Sequence, residues 1–157
     1  MGGWPVNPSA HKLVVVRGAE TLTLPDAWIK VKGLPNLQWG GPWRVQRTVM
    51  PGVAGRVSGQ PFRDLAEHDL DVWIRGDVLY DGSAPSTAKA GMKANVDRFL
   101  SFCAPPTSAP WTMAATFHFP DATTRTAGIQ MEARNPDQML DWGRGTVRIT
   151  VLSGGFA

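Results

Sequence analysis

The stretch DLDVWIRGDVLY, residues 69–80, decides the fold class. Leu70, Val72, Ile74, Val78 and Tyr80 can share one face of an extended chain, with Asp71, Trp73, Arg75 and Asp77 on the other and Gly76 interrupting the apolar row. Alternation with a period of two is what a strand needs when one face meets a core and the other does not. A tryptophan among charges on the polar side predicts an outer face that something covers.

Downstream, Asp81-Gly82-Ser83 reads as a turn, and over 86–102 the apolar period changes to three and four: Ala88, Met92, Val96, Phe99, Leu100 and Cys103. That is a helical stripe. Ser86 or Thr87 can cap its start, and Pro105 and Pro106 oppose its continuation. Lys89, Lys93, Asn95, Asp97 and Arg98 form the opposite, polar face. Residues 111–119 and 124–133 then read as a hairpin turning at Pro120-Asp121-Ala122. Asn135-Pro136-Asp137 opens a loop with room for a short turn of helix, and 146–152 alternates Val147, Ile149 and Val151 against Thr146, Arg148 and Thr150 as a closing strand.

Upstream, 11–17 (with Val14, Val15 and Val16), 21–24 and 28–32 read as strands. Residues 33–43 mix Leu34, Leu37 and Trp39 with Pro35 and Gly40-Gly41-Pro42, which fits an ordered loop. A strand is predicted over 44–50. Gly52, Gly55 and Gly59 punctuate a long connection over 51–63, of a length expected to be functional or mobile. Residues 1–10, rich in Gly and Pro, predict an extended arm, and Trp4 within it needs a partner. The order of elements predicts a mainly β single domain over 1–157, an antiparallel β-sandwich or barrel with one flanking α-helix.

Composition narrows the function classes. Of 157 residues, 43% are hydrophobic and only 18% charged, below the roughly 25% usual for soluble domains, which suits a surface buried against partners. The net charge of +3 is small and its basic residues are scattered, a poor footprint for nucleic-acid binding. Cys103 stands alone, which excludes an internal disulfide and a multi-cysteine zinc site, so folding in a reducing cytosol is expected. No stretch has the makeup of a signal peptide or a membrane span.

Catalysis finds little to work with. His11, His68 and His118 sit in no recognisable motif, and the adjacent Glu67-His68-Asp69 point alternately to opposite sides of an extended chain. The Gly52 to Gly55 spacing lacks the following Lys-Ser or Lys-Thr of a phosphate loop. Cys103, on the apolar stripe, reads as a small buried hydrophobe and not a nucleophile. The expectation is therefore a protein that is not an enzyme and takes no cofactor or metal.

The seven tryptophans are the informative excess. Trp4, Trp39, Trp43 and Trp142 stand beside or near Gly or Pro in apparent loops, and Trp73 lies on the charged strand face; these five are the candidate interface residues. They serve the ends of the core, a protein interface or a sugar-stacking platform. A carbohydrate-binding β-sandwich module is thus the competing functional reading.

The layout resembles the ring-forming domain of the distal tail proteins of long-tailed phages, a β-sandwich with one flanking helix. The parts alike are Gly33-Leu34-Pro35 after an early strand, RTVMPGVAG over 47–55, LDVWIRGDV over 70–78, and Arg98-Phe99-Leu100 near the helix end, within a span from about residue 11 to 152. The resemblance implies a virion protein, assembled in the host cytoplasm into a ring, expected to be a homohexamer, at the distal end of the tail tube. Its implied partners are copies of itself, the tail tube protein, and the tape-measure and tail-tip proteins, with DNA only passing through the channel and no membrane. A major tail tube protein, of related plan, is the close alternative.

Overall fold

The computed structural model describes residues 10–38, 43–44, 47–49, 56–58, 62–63, 66–104, 113–152 and 156. Seven strands form one antiparallel sheet: β1 (Lys12–Arg17), β2 (Glu20–Leu24), β3 (Ile29–Lys32), β8 (Ala66–Ile74), β9 (Met113–His118), β10 (Thr124–Ala133) and β11 (Arg144–Val151). Their spatial order is β2-β1-β9-β10-β11-β8-β3. The two edge strands are consecutive in sequence, and the four-residue link between them is closed by paired backbone bonds between Asp26 and Ile29. The sheet therefore curls into a nearly closed barrel, which removes most of its exposed edge.

Each strand points its even-spaced apolar residues inward. Leu13, Val15, Leu22, Leu24, Leu70, Val72, Met113, Phe117, Ile129, Met131, Val147 and Ile149 are all buried, and they fill the barrel. A 3-10 turn, Leu34–Gln38, lies in the predicted ordered loop and buries Leu34 and Leu37, which explains those leucines.

Helix α1 (Ala88–Cys103) is capped by Thr87, whose side chain accepts the Ala90 N–H at 3.1 Å. It buries Val96, Phe99, Phe102 and Cys103 against the core. At its C-terminal end the Arg17 guanidinium donates to the Phe102 carbonyl at 2.7 Å, where a cation complements the helix end. Arg98 pairs with Glu20 at 2.8 Å, so the β1-β2 hairpin holds this half of the helix from the side.

Three expectations are corrected. The strand predicted over 69–80 runs from Ala66 to Ile74, and Val78 and Tyr80 lie beyond it. The chain leaves the sheet there because Gly76 lies against the backbone of α1: a Cβ on Gly76 would meet the Ala88 carbonyl oxygen, and one on Gly91 would meet the Gly76 carbonyl oxygen. Asn95, expected on the polar helix face, is fully buried. Its amide donates to the Arg75 and Val78 carbonyls (2.8 and 2.9 Å) and its oxygen accepts the Tyr80 N–H (2.9 Å), replacing the ladder partners the departing chain has lost. The helical turn anticipated after Asn135 is a seven-residue helix, α2 (Pro136–Trp142), closed by Gly143 in the left-handed conformation; two helices thus flank the sheet.

The connection over 51–63 also differs from its reading. β4 (Trp43–Arg44) pairs with β7 (Phe62–Arg63), and β5 (Arg47–Val49) with β6 (Arg56–Ser58). The registers Trp43↔Arg63 and Arg47↔Ser58 nest inside one another, the order of strands in a hairpin. Neither ladder joins the seven-stranded sheet.

Candidate interaction surface

The in-register pairs resolve the outside of the barrel into two unlike regions. Across β2, β1, β9 and β10 run the rows Thr23, Val14, Thr116, Thr126 and Thr21, Val16, Ala114, Gly128. All eight are uncharged, and the side chains are short or β-branched, with Val16 41% exposed. A shallow depression of about 510 Å³ lies over Ala114, Thr116, Thr126 and Gly128.

Across β10, β11, β8 and β3 the outer face is charged. Arg148 bonds Asp69 (2.9 Å) and lies 4.0 Å from Glu67. The Arg148 hydrogen bond holds the Asp69 carboxyl below its ordinary range, and Asp69 in turn raises the guanidinium. The predicted alternation of Glu67, His68 and Asp69 holds: Glu67 and Asp69 share the outer face, while His68 lies opposite Ile149 in the register. Among the described residues no group of His, Cys, Asp and Glu has the arrangement to hold a metal ion, and no helix is long and apolar enough to cross a membrane.

At the far end of this charged face stands Trp73, half-buried, with Lys30 of β3 opposite it on one side and Arg144 of β11 on the other. The Lys30 ammonium lies 5.9 Å from the ring centroid, within cation–π reach. Between β8, β11 and the start of α2 is a cleft of about 150 Å³ lined by Asp71, Trp73, Asn135, Gln138, Arg144 and Thr146. The Asn135 oxygen accepts the Thr146 N–H (2.8 Å) and its amide donates to the Gln138 oxygen (2.6 Å), so the cleft wall is pre-arranged. Trp142 is 75% exposed. It follows Gln138 by four residues on α2, which puts both on one side of that helix.

Of the five interface candidates, Trp73 and Trp142 are thus brought to the same end of the barrel. Trp43 lies on β4, where only its backbone pairing is described, and Trp4 and Trp39 lie outside the described residues. Asn135, Gln138 and Arg144 were not legible as site residues; the cross-strand register and the second helix assemble them. A larger groove of about 690 Å³ separates α1 from α2 and is floored by Met92 and Leu140, with Lys89 and Lys93 on one rim and Asp141 on the other. No family model, curated protein or solved structure matches the chain.

Proposed function

We propose that the chain is a structural subunit that assembles with copies of itself into a ring, as the resemblance to phage distal tail proteins implies, with a tube ring as the close alternative. The observation that carries this reading is the hairpin of β4 to β7. A two-stranded ribbon outside any larger sheet is marginal in water, because it buries too little to offset the entropy of ordering it. A neighbouring copy is a natural surface for it to pack on.

A cyclic ring needs two different surfaces on each subunit, one meeting the other across every joint. The hairpin supplies one. The two uncharged rows on the outer face of β2, β1, β9 and β10 suit the other, since packing on those rows desolvates no charge.

Light scattering after size exclusion, followed by particle imaging, tests the reading. Rings of a fixed copy number, about six by the resemblance, are the expected result; a stable monomer at high concentration overturns it.

A further inference from the structure

We infer that the cleft beside Trp73 is a binding site for an anionic sugar unit, built from Trp73, Asp71, Gln138 and Arg144, with Trp142 at its margin. Sugars present an apolar face of C–H groups and a rim of hydroxyls, so their sites combine an aromatic ring with planar side chains that donate and accept in fixed directions. Trp73 is that ring. The Asp71 carboxylate accepts, the Arg144 guanidinium donates, and the Gln138 amide nitrogen remains to donate because its oxygen is held by Asn135.

Size and charge narrow the ligand. A cleft of about 150 Å³ is well below the roughly 300 Å³ at which drug-sized pockets begin, so it suits one sugar unit at a chain end or branch. Arg144 and Lys30 flank Trp73, and among the described residues neither is paired with a carboxylate. Two unneutralised cations beside the ring favour a sugar bearing a carboxylate or a phosphate, with Arg144 placed for a forked contact. Single-stranded nucleic acid also stacks on tryptophan beside cations, but it needs a groove that tracks several nucleotides, whereas this cleft of about 150 Å³ holds one unit and its amide and hydroxyl lining matches sugar hydroxyls.

The site does not depend on assembly, and light scattering on the same samples separates its outcome from that of the ring. The full chain is titrated with glucuronic acid, glucose 6-phosphate, glucose and a short oligothymidylate while the tryptophan indole N–H signals are followed by NMR. Saturable shifts of the Trp73 signal with the two acidic sugars are expected, with affinity at least about tenfold above that for glucose. Whichever acidic sugar binds tighter identifies the anion as carboxylate or phosphate. Arg144→Gln should bring the acidic sugars down to the level of glucose, and Trp73→Ala should abolish binding, with the signal of buried Trp28 reporting that each variant is folded. The inference is overturned by the absence of any saturable shift with sugar, by binding that survives Trp73→Ala, or by a response to the oligothymidylate alone.

Discussion

Cys103 illustrates how burial sets the chemistry of a single residue. Desolvation against the core pushes its thiol up to about 12 from an ordinary 9.0, and the Arg17 charge, pulling the other way, does not offset it. The thiolate is the nucleophile, so the native protein should resist alkylation by iodoacetamide at pH 8 and react only as fast as it unfolds. Alkylation of folded protein at the rate of a free thiol would contradict this. The linkage has a definite sign. Because the folded pKa is raised, stability is unaffected below the unfolded thiol's value and is lost as pH climbs from about 9 toward about 12, and Cys103→Ala should remove that part of the loss in alkaline urea titrations. The tryptophans show a different limit at this scale. Trp28 is buried and Trp142 is the most exposed of the large apolar side chains described, yet both stand among polar and apolar neighbours that look alike in sequence. What separates them is position: Trp28 sits in the link that closes the barrel, and Trp142 ends a helix that already buries Met139.

Among the elements, α1 is the one whose placement the rest of the fold depends on. Its periodicity, its Thr87 cap and much of its buried face, Val96, Phe99 and Cys103, were legible, but two inward positions were missed, because Asn95 counted as polar and Gly91 counted as neither. Both face inward for the same reason. Gly91 lets the Gly76 backbone approach, and Asn95 then satisfies the three backbone groups that this approach strips of sheet partners. Asn95→Asp keeps the shape and the acceptor for Tyr80 but turns two donors into repulsion against the Arg75 and Val78 carbonyls. A loss of about 3 kcal/mol in urea unfolding is expected, the upper range for stranding buried polar groups, against less than about 0.5 kcal/mol for Lys89→Ala on the exposed face. A difference between the two variants too small to measure would remove Asn95 from this role. The same contact explains why the strand reading of 69–80 was right in its first half and wrong in its second: alternation continues past Ile74, and the helix backbone overrides it.

For the whole molecule, the contrast between a well-filled barrel and a hairpin outside its sheet gives the assembly reading its consequence. The barrel does not need the hairpin's hydrogen bonds, so replacing residues 47–58 with a short Gly/Ser linker should leave a cooperative, near-native thermal transition while reducing the assembly to monomers. Val16→Lys, which puts a charge into an uncharged row of the outer face, should do the same from the other side of the joint. If both variants keep the wild-type mass, the proposed joint is wrong. The sequence by itself determined the mainly β class, the antiparallel order implied by short turns, α1 with its cap, and the inward residues of most strands, because period and capping are local properties of the chain. Only the tertiary structure decided where the strand after Leu70 ends, that the sheet curls until β2 and β3 meet, that β4 pairs with β7 and β5 with β6, and that Trp73 and Trp142 share one end of the barrel. Those outcomes depend on contacts between residues far apart in sequence, Gly76 with Gly91 and Trp73 with Lys30 and Arg144.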